Sequence, residues 1–196
     1  MHHNIILRQL ALSEMKDIYE KWMKEDFPPD ELKKWQMIQD LSRRGIYEGL
    51  SALDGDKIVG YAFFSIDATR RFYLLDYFAI LKEFRGMGYG ACMLKLIAER
   101  YKDADILLCE VENPFVESIT TIKQQEQERL EFYLKNNWED TEIDALMYGV
   151  EYRLLNAKLE NDIKVANIQK AYESIYRTAI PKEDLEPNMM LRMHRV

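Results

Sequence analysis

Apolar residues recur at two different spacings along the chain, and switching between them predicts alternating strands and helices. Asn4–Leu10 reads as a first strand. Ser13 is placed to cap a helix over Glu14–Asp26, where Met15, Ile18, Tyr19, Trp22 and Met23 form a stripe at three- and four-residue spacing. Pro28-Pro29-Asp30 breaks that helix and restarts a second one to about Arg43, carrying Leu32, Trp35, Ile38 and Leu41. Glu48–Leu53 and Lys57–Ile66 are β runs around Asp54-Gly55, a hairpin signal because these residues accept the positive φ of a tight turn. Phe72–Ile80 adds another strand, so the middle of the chain reads as an antiparallel meander.

Further on, a helix running to about Tyr101 buries Met93, Leu94, Leu96 and Ile97, and Ile106–Val111 gives a short strand. A helix is predicted from near Glu117 to Asn136, a strand over Met147–Leu155, a helix from Lys158 to about Thr178 and a last strand over Asn188–Val196. With no repeat or linker, the reading is one mixed α/β domain, 1–196, with a core of about 4–156 and a C-terminal helix and strand over 158–196. Lid, extra packing and dimer surface are all open as roles for that helix.

The 196 residues are 47% hydrophobic, enough for a sizeable core. The net charge of −7 is interleaved rather than blocked, which argues against nucleic acid, whose phosphates call for clustered Lys and Arg. No apolar run approaches the roughly 20 residues that span a bilayer, so no membrane partner is expected. Met1-His2-His3 opens directly onto a strand without a secretory signal, while Cys92 and Cys109 lie in apolar settings as reduced thiols. A cytoplasmic location is the expectation. His2, His3 and His194 sit near the ends, and no Cys/His spacing matches a metal site, so no metal is expected.

The richest chemistry lies between Leu74 and Arg100. An apolar strand ending Phe78-Ala79-Ile80 leads through Leu81-Lys82-Glu83-Phe84 into Arg85-Gly86-Met87-Gly88-Tyr89-Gly90, and an amphipathic run starts at Ala91. Glycines at a helix start leave free N–H groups beside the positive end of the helix dipole, a setting that binds phosphates. An ATPase loop requires Lys-Ser or Lys-Thr after its last glycine, and here Ala91-Cys92 follows. A dinucleotide loop belongs near the start of a strand–helix–strand repeat, not after a meander.

The pattern Arg-x-x-Gly-x-Gly after a strand ending Phe-Ala-Ile instead resembles the acetyl-CoA loop of the GNAT-type N-acetyltransferase superfamily. Two further stretches carry the resemblance, Leu107–Pro114 and Arg129–Trp138, the latter similar to the family's helix ending in Phe-Tyr, a turn and an aromatic. The element order over Asn4–Asn156 fits as well. Glu126 departs from the pattern, standing where many relatives carry Asn. Asn136 or Asn137 stands where Gly usually closes the helix, and Asn tolerates the left-handed geometry required there.

What the resemblance implies is a mostly antiparallel sheet splayed between the strands before and after the loop helix. It further implies acetyl transfer from acetyl-CoA, as co-substrate, to a primary amine. Loop residues Arg85, Gly86, Met87, Gly88, Tyr89 and Gly90 would meet the pyrophosphate, Arg85 either directly or by bracing the turn. Backbone amides of Phe78, Ala79 and Ile80 would meet the pantetheine arm and polarise the thioester. Tyr133 matches the family's proton donor for the leaving thiolate; packing as a core aromatic is its alternative. Asp76 interrupts an apolar strand, and Glu110 and Glu112 share a face of the next one, so Asp76 or Glu110 is a candidate base. Salt bridging or binding of the substrate ammonium are alternatives, as is transfer through water without a dedicated base. The acceptor would be chosen around Trp22, Phe27 and Trp35 and by the strand and helix after Asn136. A homodimer is left open, and a binding module that keeps the loop without turnover is the alternative function.

Overall fold

The computed structural model describes residues 5–29, 31–115, 120–159 and 165–193. The predicted helix start near Glu117, the stretch 160–164 and both extreme termini lie outside these residues. An eight-stranded sheet in the order β1-β2-β3-β4-β5-β7-β6-β8 forms the middle layer. Its strands are β1 (Ile5–Gln9), β2 (Tyr47–Asp54), β3 (Lys57–Ile66), β4 (Phe72–Ile80), β5 (Ile106–Glu112), β6 (Trp138–Met147), β7 (Val150–Ala157) and β8 (Met189–Met193). Every neighbouring pair is antiparallel except β4 and β5. The architecture is the mixed α/β fold that the sequence pattern predicts.

Three apolar clusters cover the two faces. On one face, α4 (Tyr89–Arg100) and α5 (Thr120–Lys135) bury Met93, Leu94, Ile97, Leu130 and Tyr133 against Ala62, Leu75, Cys109 and Leu155. On the other face the N-terminal half is covered by α1 (Leu12–Ile18), a π-helical turn (Tyr19–Met23), α2 (Lys24–Asp26) and α3 (Trp35–Arg43). The C-terminal half of that face is covered by α6 (Val165–Ala179), followed by the short α7 (Lys182–Leu185). Packing is therefore one role of α6: Ile168, Ala171 and Ile175 bury against Leu74, Ile106, Leu108, Ile143 and Leu154.

The departures from the sequence reading have local causes. Helix α1 starts at Leu12 after Ala11, not behind a Ser13 cap, because the Glu14 carboxylate accepts the Ala11 amide at 2.8 Å. Helix α3 begins only at Trp35, because Tyr77 and Asp76 draw the chain at Lys33 onto β4. The strand predicted over Met147–Leu155 is β7, and it is the second arm of a hairpin whose first arm, β6 (Trp138–Met147), the sequence pattern does not predict. Tyr148 and Gly149 turn it with φ of 49° and 87°, as a two-residue hairpin turn demands. Asn137 closes α5 with φ of 65°, the left-handed geometry that asparagine tolerates.

Gly60 shows how closely β3 and β4 meet near the middle of the sheet. A Cβ at this position would lie 2.7 Å from the Ala79 carbonyl oxygen and 2.7 Å from Ile80 Cδ1. The carbonyl belongs to the backbone and cannot rotate away, so the strands would have to part. Gly60→Ala is expected to destabilise the protein by about 1–3 kcal/mol, read from the midpoint of urea unfolding. An unchanged midpoint would show that the sheet relaxes freely at this point.

Candidate active site

Strands β4 and β5 lie side by side only from Phe72↔Ile106 to Leu75↔Cys109, and beyond that pair they separate. The cause is an extra residue in β4. Phe63 faces Tyr77 and Phe64 faces Leu75, which leaves Asp76 as a bulge that turns the strand away from β5. Meanwhile β5 stays paired with β7 as far as Glu112↔Tyr152. Strand amides point alternately to the two sides, so every second N–H between Asp76 and Ile80 lacks a β5 acceptor. A cleft of about 1110 Å³ opens at this fork.

The two sides of the fork carry different chemistry. Toward α5, Tyr133 packs in a ring cluster with Phe78, Phe132 and Trp138, at centroid distances of 6.3, 5.5 and 5.4 Å. It lines the cleft, and its hydroxyl has no hydrogen-bond partner among the described residues. Burial pushes its phenol well above the usual range, so it stays protonated.

Toward α6, the half-buried Glu110 accepts hydrogen bonds at one oxygen, Oε1, from Tyr172 and from Tyr176, the latter at 2.8 Å. Burial raises its pKa above the ordinary carboxylate value of 4.5. The two phenols oppose that rise, Asp76 adds to it and Lys33 works against it. Glu112 lies at the cleft edge, paired with Arg129 at 3.0 Å.

Asp76 is already engaged. Lys33 Nζ lies 2.7 and 2.9 Å from its two oxygens, and Tyr47 donates its hydroxyl to Oδ2 at 2.5 Å. Tyr77, the next residue, accepts the Lys33 amide and donates to the Glu31 carbonyl. Together they tie the segment before α3 to the bulge. Of the aromatic residues named for the acceptor, Phe27 lines the cleft with its ring 4.9 Å from that of Tyr77. Trp22 and Trp35 pack outside it, Trp22 against Tyr61 and Trp35 against Tyr19.

At the outer end of the fork the glycine loop stands open. Gly86 and Gly88 take φ of 75° and 88°, and Gly88 is the residue before the first turn of α4. Residues 85–88 are exposed, and the Gly86 and Gly88 amides donate to no backbone oxygen among the described residues. The Cys92 amide donates to the Gly88 carbonyl at 3.3 Å and so opens the backbone ladder of α4, and the amides at such a helix start gather beside its positive end. Arg85 turns inward instead, with Nη2 at 2.7 Å from Asp26 and Nε at 2.8 Å from the Ile80 carbonyl, and so braces the turn. Tyr89 donates to Asp54 at 2.5 Å and ties the helix start to the β2–β3 hairpin, while Gly90 allows Phe132 to approach. Among the described residues no cluster of three or more His, Cys, Asp or Glu could hold a metal, and no helix is long and apolar enough to cross a membrane.

The forked sheet, the cleft at its fork and the open glycine-lined start of α4 at its outer end together define the fold and the candidate site. Residues 12–124 match the model of the acetyltransferase (GNAT) family, and the chain belongs to that family. A GNAT-family protein from Bacteroides thetaiotaomicron is similar in fold, with a TM-score of 0.68 at 18% identity over 89% of this chain and 99% of that one. A GNAT acetyltransferase from Elizabethkingia anophelis, solved with acetyl-CoA bound, gives a TM-score of 0.52 at 16% identity over 81% of this chain and 100% of that one. The spermidine/spermine N-acetyltransferase SpeG from Vibrio cholerae gives 0.54 at 11% identity over 78% of this chain and 93% of that one. No curated protein sequence matches the chain.

The sequence reading missed Lys33, Tyr172 and Tyr176 as site residues. A signal was there for the tyrosines: they stand four apart on an otherwise apolar stripe, where aliphatic residues would pack as well and a buried hydroxyl needs a partner.

Proposed function

We propose that this protein transfers the acetyl group of acetyl-CoA to a primary amine by direct attack, with Glu110 as base and Tyr133 as acid. The observation that supports this most is the fork itself, which opens between a carboxylate on one side and a protonated phenol on the other. In this reading the amides of Gly86, Met87, Gly88, Tyr89 and Gly90 hold the pyrophosphate, Arg85 braces their turn, and strand amides over Phe78, Ala79 and Ile80 take the pantetheine arm and thioester oxygen. Asp76, neutralised by Lys33, shapes the acceptor side.

The acceptor enters as an ammonium of pKa about 10.4 and must lose a proton before it attacks. One amine proton goes to Glu110. The N–C bond then forms as the C–S bond breaks, and sulfur leaves with the Tyr133 phenol proton, which the second amine proton replaces. A cationic acceptor suits a cleft in which Glu110 stands among Tyr77, Tyr152 and Tyr176; SpeG, a protein of similar fold, is a polyamine acetyltransferase by its name. The two free thiols support a reducing, cytoplasmic setting.

Incubation with acetyl-CoA and a panel of polyamines, aminoglycosides, amino acids and N-terminal peptides, with thiol release recorded, tests this reading. Calorimetric binding of acetyl-CoA with no thiol release across the panel would favour a sensor instead. Tyr133→Phe is expected to lower turnover about 10- to 100-fold with acetyl-CoA affinity unchanged, the low end for acid–base groups because a thiolate leaves readily. Unaltered turnover removes the acid role.

A further inference from the structure

Helix α6 does more than cover the sheet. Tyr172 and Tyr176 stand one helical turn apart, their ring centroids 4.9 Å from each other, and both hydroxyls converge on Glu110 Oε1. Glu110 Oε2 has no hydrogen-bond partner among the described residues, and Glu110 lines the cleft. Packing alone asks for no hydroxyl here, since Ile168, Ala171 and Ile175 fill the same helix face. Resting on the reading of Glu110 as base, we propose that Tyr172 and Tyr176 are positioning residues that grip Oε1 and leave Oε2 to the cleft as the atom that takes the amine proton.

The grip works in two ways. Two donors on one oxygen fix the carboxylate in one rotamer, and both favour its ionised form. The surrounding groups are few. Asp76 from β4 opposes ionisation and Lys33 favours it, while Tyr77 on β4 and Tyr152 on β7 stay neutral because burial raises their phenols. Burial keeps Tyr172 and Tyr176 protonated as well, so they remain donors across the working range.

Tyr172→Phe and Tyr176→Phe keep the ring and remove one donor each. The acid limb of kcat/KM is expected to move upward by about one pH unit in each, roughly a tenfold loss on the acid side that shrinks toward the alkaline plateau. A merely structural tyrosine would lower the whole profile and leave the limb in place. A readout without substrate accompanies this: the ¹³C carboxyl titration of Glu110 in glutamate-labelled protein, assigned by the signal missing from Glu110→Gln. It is expected to move the same way in both variants, each of which keeps the ring and one of the two donors. An unmoved limb and an unmoved titration, with Glu110→Gln inactive, overturn the positioning role and leave the base in place. Full turnover in Glu110→Gln overturns both readings.

Discussion

Replacing Glu110 by Gln is expected to lower kcat by about 10²- to 10⁴-fold while acetyl-CoA still binds. The size of the effect follows from a mismatch in proton affinity. An ordinary carboxylate lies about six pKa units below an alkylammonium, and each unit costs about 1.36 kcal/mol when the proton moves uphill. Burial raises Glu110, and the same desolvation lowers an amine that enters the cleft, so the two values approach each other. Glutamine keeps an oxygen that can accept from Tyr172 and Tyr176, so the variant should fold. Its stability should also lose a pH dependence. A carboxyl whose folded pKa lies above its unfolded value stabilises the native state fully below about 4.5, and loses that contribution as pH rises through the folded value. Wild type should therefore show this loss and Glu110→Gln should not, with thermal melts across the pH range as the measurement. Turnover within twofold of wild type at every pH would remove the base.

Much of the architecture is legible in the sequence because burial there follows a regular period. The meander β2–β3–β4, the helix after the glycine loop and the short strand β5 alternate or repeat cleanly, and each appears in the structure within a residue or two of the predicted bounds. Strand β6 does not. Its Asp140 and Asp144 both pair with Arg153 of β7, and that pairing puts charge where a strand pattern needs apolar residues. The bulge at Asp140/Asp144 breaks the period-two register as well. At the site, Asp76 and Glu110 stand out as charges inside apolar strands and Tyr133 through the resemblance of its helix to the GNAT pattern, and all three line the cleft. The partners of those residues are not visible. Lys33 reaches Asp76 over 43 positions, and Tyr172 reaches Glu110 over 62. Only the layering of α6 on the sheet brings them together.

Trp138 is where that hidden strand bears hardest on the site, and Trp138→Ala is expected to cost about 3–5 kcal/mol. The residue opens β6 opposite Ala157, 2% exposed, and its ring meets that of Tyr133 edge-on at 5.4 Å and 73°. Truncation leaves a void between α5 and the sheet that rigid strands on both sides cannot close. For a domain of this length the melting temperature should drop by roughly 6–20 °C. The void also lies behind Tyr133, the proposed proton donor. Tyr133 loses one wall of its ring cage, so turnover measured well below the new melting point should fall as it does in Tyr133→Phe, while acetyl-CoA binding at the glycine loop persists. Trp138→Phe refills most of the space and should recover both quantities together. If calorimetry finds the alanine variant melting within 2 °C of wild type, the β6 start is not packed as described. If stability falls but turnover at low temperature does not, the Trp138 wall holds the fold and not the tyrosine.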